Sequence, residues 1–353
     1  MSIFFDCRYI RVDHHDGISR FSAGLFAELQ KRMDVTAIIS DHRQLDKLPK
    51  GSKFVKLNDP TSLLEPLLAL KLNRLGATKV FSPMQTMGTF GRKFKLILTL
   101  HDLIYYRHPA PPPAFNLFIR ILWRIFHLTY IPQRLLLNRA DRIVTVSETT
   151  KSLMIRHRLT KKPIDVIHNA ADPSEVHLPQ APQSRKLVYM GSFMNYKDVE
   201  LLIVGMQELP NYELRLLSRI SQERRSELEK LTSSSLDRVI FVNGVSDDEY
   251  QQELLEAFCL VHASKDEGFG IPLVEAMVRG LPIVISDIEI FKEIGGEAAT
   301  FFAAGDVAGF VAAVKSLEDP QTWTNKSIQA QKRALEFSWE KSSIDLMGLL
   351  TNL

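Results

Sequence analysis

Residues 263–282 read ASKDEGFGIPLVEAMVRGLP, and this stretch decides the fold. It follows the apolar run Phe258-Cys259-Leu260-Val261, which suits a buried parallel strand. The run breaks into a polar, glycine-bearing turn from Ser264 to Gly270. A helix is expected next: Pro272 sits where a first helical turn tolerates proline, and Gly280 sits where a helix should stop. Strand, glycine turn and helix together make an anion site, because unpaired N–H groups and the positive end of the helix dipole face a phosphate. Glu267 lies inside the turn and Glu275 in the first turns of the helix. Carboxylates do not bind phosphate, but they accept hydrogen bonds from hydroxyls. A ligand carrying both phosphate and sugar hydroxyls therefore fits better than phosphate alone.

The whole chain sets bounds on this reading. Its 353 residues exceed one ordinary core and suit two domains of about 150 to 180 residues each. Apolar content of 45% and charged content of 24% are those of a folded globular protein. A net charge of +3 does not suggest a nucleic-acid binder. The two cysteines, Cys7 and Cys259, sit in or beside apolar runs and read as small buried residues, not as a disulfide or metal site. No apolar run is long enough to span a bilayer, and the N-terminus lacks a secretory pattern, so a cytoplasmic location is expected.

The residues flanking the central stretch carry a resemblance. Glu267 to Met277, EGFGIPLVEAM, resembles the spaced double-glutamate signature of retaining glycosyltransferases of family 4, which have the GT-B fold. The resemblance covers most of residues 95–345 and, more loosely, the first 30. Alternating strand and helix patterns in both halves argue separately for two doubly wound domains. The expected fold is α/β GT-B: two Rossmann-like doubly wound domains facing across a cleft, with a C-terminal helix crossing back to the first. The boundaries expected are residues 1–174, an acceptor-side domain, and 175–335, a donor-binding domain. Residues 336–353 form the returning helix.

In chain order, strand Ile3-Phe4-Phe5 leads through a polar loop with two histidines to Gly17 and a helix over Ile18–Arg32. Asp16-Gly17-Ile18-Ser19-Arg20-Phe21 resembles the family's first glycine loop, which faces donor phosphate and acceptor; a plain βα turn with a solvated arginine explains Arg20 equally well. Val35–Ser40, Lys79–Phe81 and Lys95–Leu100 read as strands, and Ser62–Leu75 as a helix. His101 follows the LILTL strand, at the strand end where open α/β sheets place ligands. It resembles the family's histidine, with Asp102 capping or orienting. Residues 114–139 mix Phe115, Phe118, Trp123, Phe126 and Tyr130 with Arg120, Arg124, Arg134 and Arg139, and contain no acid. Packed helices with arginine stems along apolar neighbours are the first reading. Peripheral contact with an anionic membrane at its inner face is the second. Pro163–Ile167 ends the first half, before a proline-bearing linker with Pro173, Pro179 and Pro182.

In the second half, strand Lys186–Met190 leads into the turn from Gly191 to Lys197. The family places an arginine and a lysine there to hold the donor diphosphate. Lys197 matches the lysine, while Ser192 stands where the arginine often is. Leu214–Leu217 and Val239–Val242 read as strands and Ile220–Leu231 as a helix. Ser246 and Glu249 form a capping box, so Asp247 and Asp248 are explained by the helix dipole without a metal. A strand over Ile283–Ser286, a helix over Val307–Leu317 and a final helix opening at Phe337-Ser338-Trp339-Glu340 complete the pattern.

The resemblance implies transfer of a hexose, with mannose the leaning, from a GDP- or UDP-linked donor to a glycan or lipid-linked acceptor, with retained configuration. It implies polysaccharide biosynthesis for the cell envelope. Glu275 would accept from ribose hydroxyls and Glu267 from hydroxyls of the transferred sugar. The amides of Gly268, Phe269 and Gly270 would support sugar and diphosphate, Gly17 and Ser192 would line the site, Lys197 would neutralise the leaving diphosphate, and His101 would hold the reacting sugar. No cofactor or metal is expected. Two alternatives stay open: a non-catalytic sugar-nucleotide-binding or scaffold protein, favoured by Ser192, and a nucleotide-sugar 2-epimerase of the same fold.

Overall fold

The computed structural model describes residues 2–13, 16–111, 117–173, 184–232 and 236–353. His14, His15, Phe115, Pro179 and Pro182, singled out above, lie outside the described residues. The chain divides into two compact units, Met1–Ala170 with Ser338–Leu353, and Ala171–Phe337.

The first unit is built on strands β1 (Ile3–Asp6), β2 (Val35–Ile39), β3 (Phe54–Lys56), β4 (Lys79–Ser82), β5 (Lys95–Leu100), β6 (Arg142–Thr145) and β7 (Ile164–Val166). They form one parallel sheet in the order β3-β2-β1-β4-β5-β6-β7. The near-continuous apolar runs of β1, β2, β4 and β5 are buried, as a sheet covered on both faces requires. Its helices are α1 (Gly17–Leu29), α2 (Leu68–Arg74), α3 (Ile104–Arg107), α4 (Leu117–His127), α5 (Ile131–Leu137) and α6 (Glu148–Arg156). Asp16 caps α1 and Ser147 caps α6, each side chain accepting from a first-turn amide.

The second unit contains β8 (Lys186–Tyr189), β9 (Glu213–Leu216), β10 (Val239–Phe241), β11 (Cys259–His262), β12 (Ile283–Ser286) and β13 (Ala299–Phe302), in the parallel order β10-β9-β8-β11-β12-β13. Its helices are α7 (Val199–Gly205), α8 (Gln222–Glu229), α9 (Asp247–Glu256), α10 (Ile271–Val278), α11 (Glu289–Gly295), α12 (Val307–Ser316) and α13 (Pro320–Ala334). The last helix, α14 (Trp339–Thr351), belongs to the first unit. The Trp339 indole lies over Gly24 of α1, where a Cβ would come within 2.4 Å of the ring. Ser342 donates to the His168 carbonyl at 2.8 Å, and Glu340 pairs with Arg32 at 2.9 Å.

Several elements differ from the sequence reading. Ser62–Leu75 does not form one helix: a 3-10 turn at Glu65–Leu67 precedes the shorter α2. Pro66 lacks an N–H donor, and the Glu65 side chain is drawn into an ion pair with Arg8 at 2.7 Å. The short strands β3 and β13 and the helix α13 were not anticipated. β3 offers three residues with no buried face, and α13 buries mainly the small residues Ser327, Ala330 and Ala334 beside Trp323, too faint an apolar stripe to read.

Candidate active site

In an open parallel sheet, ligands bind beyond the carboxyl ends of the strands where the strand order reverses. In the second unit that point lies between β8 and β11, which pair through Cys259 with Leu187 and Leu260 with Val188. The turns that leave these two strands are residues 190–197 and 263–270. The Lys265 amide donates to the Tyr196 carbonyl at 2.7 Å, so the two turns touch.

Lys197 ends a 3-10 turn, Asn195–Lys197, and its ammonium forms an ion pair with the Glu267 carboxylate. Both side chains are largely enclosed. The Lys197 ammonium also lies 5.4 Å from the centre of the Tyr196 ring. A second pair, Lys265 with Asp198 at 2.9 Å, ties the same turns together. The Ser192 side chain is exposed, while its carbonyl accepts from the Tyr189 hydroxyl at 2.6 Å.

Gly270 caps α10 with φ +93°, a left-handed backbone that glycine adopts without strain. At the far end the Gly280 and Leu281 amides bond to the Met277 and Ala276 carbonyls, closing the helix where Gly280 stands at φ +70°. Phe269 turns its side chain inward, packing edge-on to Phe337 at 5.7 Å, which leaves its backbone in the turn. Glu275 is 5% exposed, and Tyr250 of α9 donates to its Oε2 at 2.9 Å. Tyr250 was not read from the sequence as a site residue. Its four-residue spacing to Leu254 signals a core face, and nothing in that spacing points to Glu275.

His262, the last residue of β11, lies beneath the turns with its ring 4.7 Å from Tyr189. Neither ring nitrogen makes a hydrogen bond of good geometry. Burial and then the Lys197 ammonium hold its pKa down to about 3, against a weaker pull from the Met190 backbone. The imidazole is thus neutral in the folded chain at physiological pH. Ser218, just beyond β9, accepts at its hydroxyl from the Gly191 amide at 3.0 Å. Arg224 reaches the same turn, donating to the Phe193 carbonyl at 3.0 Å, but it is paired with Glu200 and Glu227.

In the first unit, Gly17 is the first residue of α1, and His101 directly follows β5. The His101 Nε2 lies 2.8 Å from the Pro83 carbonyl, which can only accept, so Nε2 carries the proton and Nδ1 is a lone-pair acceptor. Phe21 contacts the ring edge-on at 5.1 Å. Burial, opposed by the Pro83 bond and by Asp16, lowers the His101 pKa to about 4. Asp102 accepts at 2.9 Å from the amide of Ile104, the first residue of the short α3, whose cap position is Leu103.

Both histidines have a consequence for stability. Their folded pKa values lie below the usual value near 6.5, so the unfolded chain binds more protons between about pH 4 and 6.5. Their contribution is fully present above about pH 6.5 and is lost as the pH falls. One such histidine adds up to about 1.4 kcal/mol per pH unit to the slope of unfolding free energy. Urea unfolding of the second unit should therefore flatten against pH by up to this amount in His262→Gln. An unchanged slope would show that His262 titrates normally.

Residues 175–334 match the family model described as glycosyl transferases group 1, and residues 15–175 match that of glycosyltransferase family 4. The chain is 25% identical over 319 residues to the O-antigen chain mannosyltransferase RfbU of Salmonella typhimurium, covering 86% of this chain and 87% of that one. It is 24% identical over 267 residues to O-antigen chain mannosyltransferase B of Escherichia coli, covering 70% and 67%. Among solved structures, sucrose-phosphate synthase of Thermosynechococcus elongatus superposes with a TM-score of 0.76 at 18% identity, over 99% and 98% of the chains. Anabaena HepE in complex with UDP and glucose superposes with a TM-score of 0.73 at 17% identity, over the full length of both. At these identities the structural likeness shows the GT-B fold.

Proposed function

Given that the chain belongs to the group 1 glycosyltransferases, with the GT-B fold, we propose that it transfers a hexose from a nucleotide diphosphate sugar to a glycan or lipid-linked acceptor, with retention. The observation that carries this reading is the meeting of Lys197 and Glu267 at the reversal point of the second sheet. A cation for a diphosphate stands there beside a carboxylate for sugar hydroxyls, next to the amides of Gly268, Phe269 and Gly270. Mannose is the favoured hexose, on the strength of the two O-antigen mannosyltransferase relatives.

In the proposed step the bond from the anomeric carbon to the β-phosphate oxygen breaks and a bond to the acceptor oxygen forms on the same face. The acceptor proton passes to the departing phosphate. Negative charge grows on the diphosphate, where Lys197 acts. Glu267 orients the sugar through its hydroxyls. Glu275, held by Tyr250, accepts from the ribose. In the first unit, His101 is neutral with Nδ1 as an acceptor, which suits the contact with a sugar hydroxyl that the resemblance implies for it.

Thermal melting against UDP-, GDP- and ADP-sugars and the bare nucleotides tests the donor site, since a ligand of the native state raises the melting temperature. One nucleotide family should give a shift. Glu275→Gln, which keeps an acceptor for Tyr250, should weaken that binding by about 1.5–3 kcal/mol, roughly 10- to 150-fold. Absence of a shift with every compound would favour the scaffold alternative.

Contact with an anionic membrane is the finer reading of the acceptor side. None of α4 is buried: Leu117 is 75% and Phe118 69% exposed, with Ile121, Leu122 and Ile125 exposed beside them. Trp123 instead packs on Tyr105 and His127, and Phe126 contacts His127, so these two rings are not on the outward face, while Phe118 is. Arg124 is exposed at the same helix, a fit to anionic headgroups. No described helix is long and apolar enough to cross a membrane. Ile121→Ser with Ile125→Ser should cut co-sedimentation with phosphatidylglycerol vesicles several-fold, and equal sedimentation of variant and wild type would refute membrane contact.

A further inference from the structure

Asp198 follows Lys197 and joins the 3-10 turn Asn195–Lys197 to α7. Its backbone stands at φ +50° and ψ +41°, in the left-handed region. That conformation costs free energy for a residue with a Cβ, less for aspartate than for most, and glycine adopts it freely. An aspartate just before a helix ordinarily turns its carboxylate back onto a first-turn amide. Asp198 does not: no side-chain bond caps α7. Its carboxylate instead meets the Lys265 ammonium at 2.9 Å, on the neighbouring turn. Neither the backbone nor the helix end accounts for a carboxylate here, whereas the pair across the turns does. Strained backbone persists where its surroundings over-determine it, and it collects at functional sites.

The two turns meet residue by residue. The Lys265 amide donates to the Tyr196 carbonyl at 2.7 Å, the Lys197 ammonium pairs with Glu267, and the Asp198 carboxylate pairs with the Lys265 ammonium. Lys265 thus grips the neighbouring turn through main chain and side chain, on either side of Lys197. The Asp198 side chain is 13% exposed, so this pair is screened less than one on the open surface. A lysine carries its charge on a flexible stem. Where the Lys197 ammonium sits therefore depends on how firmly its backbone is fixed against the turn that bears Glu267.

We propose that Asp198 and Lys265 form a clasp that sets the register of the two turns and so keeps the Lys197 ammonium against Glu267, placed for a departing diphosphate. This rests on the transferase reading above and adds two positioning residues to it, both acting through Lys197. Glycine at position 198 would relax the backbone and lose the clasp, so turnover should fall there while stability does not.

Hydrolysis of GDP-mannose and of UDP-glucose by the full chain, followed as nucleotide release, tests the clasp. Asp198→Asn tolerates the left-handed backbone but lacks the charge. It and Lys265→Met should each lower kcat about 10- to 100-fold, the scale of a reacting group displaced by up to about 1 Å, with donor KM within about twofold. Asp198→Gly should lose as much rate with the melting temperature unchanged, because relief of the left-handed backbone offsets the lost pair. Asp198→Asn combined with Lys265→Met should lose no more than either alone, since the two act as a unit. Lys265→Arg, which keeps the cation, should recover part of what Lys265→Met loses. Rates within about twofold of wild type in both single variants, losses that multiply in the double variant, or a rate in Asp198→Gly that falls only with the melting temperature would each overturn the proposal. Hydrogen exchange needs no turnover: the residue 265 amide, bonded to the Tyr196 carbonyl, should exchange at least about tenfold faster in Asp198→Asn, and equal exchange would overturn the clasp. Neither hydrolysis nor a melting shift with any nucleotide in the wild type would instead sink the transferase reading, and exchange at residue 265 then still decides the clasp.

Discussion

Lys197→Met should lower the transfer rate about 100- to 1000-fold, the loss found when one preorganised group facing developing negative charge is removed. The ammonium is enclosed by protein, so solvent screens its attraction for a departing diphosphate little, and Glu267 fixes its position while offsetting part of its charge. The effect should fall on kcat and kcat/KM together, because the charge it meets grows in the transition state. A rise in donor KM with kcat unchanged would show that Lys197 only binds. Lys197→Arg should recover part of the rate, since the charge is kept and the geometry is not. A readout independent of turnover exists in His262. Lys197 is the second cause of its lowered pKa, so the NMR titration of His262 should move upward in Lys197→Met.

Arg8→Met should destabilise the first unit by about 3–5 kcal/mol, the range for removing one partner of a buried ion pair. Arg8 donates to both oxygens of Asp6, from Nε at 2.8 Å and Nη2 at 2.9 Å, and to both oxygens of Glu65 at 2.7 and 3.0 Å. It also reaches the Asn58 carbonyl at 2.9 Å. Burial by itself would lower the guanidinium pKa, but Asp6 and Glu65 outweigh it and raise it. Without Arg8 two carboxylates remain buried with no cation between them. The urea midpoint of the first unit, followed by hydrogen exchange, should fall accordingly. Arg8→Met combined with Glu65→Gln should recover part of the loss, because one stranded charge is gone. A midpoint within error of wild type would mean that this triad contributes nothing net.

Much of the fold was legible because parallel strands leave a strong trace. Runs such as Phe258–Val261 and Leu96–Leu100 are apolar without alternation, and each ends in a polar or glycine-bearing turn. The capping box at Ser246 and Glu249 was equally plain, and both of its bonds are present. The helix α13 was hidden because its buried face is made of small residues. The facing of α4 was not legible, because composition reports how aromatic a segment is, not which side it shows. Trp123 and Phe126 contact His127, while aliphatic Leu117 and Ile121 face solvent.

By itself, the sequence determined the kind of chemistry: the double-glutamate turn, Lys197 and His101 stand in segments whose local pattern specifies strand, turn and helix. Those are short-range signals, written within about a dozen residues. Tertiary structure alone decided which of these residues meet. The strand order brings the turns after β8 and β11 together, so that Lys197 pairs with Glu267 across seventy positions of chain. It likewise puts Tyr250 on Glu275, His262 beneath Lys197, and Gln133 across a cavity from His101. Contacts of that range depend on strand order and crossover, which no local pattern encodes, and they arise only when the sheet closes its register.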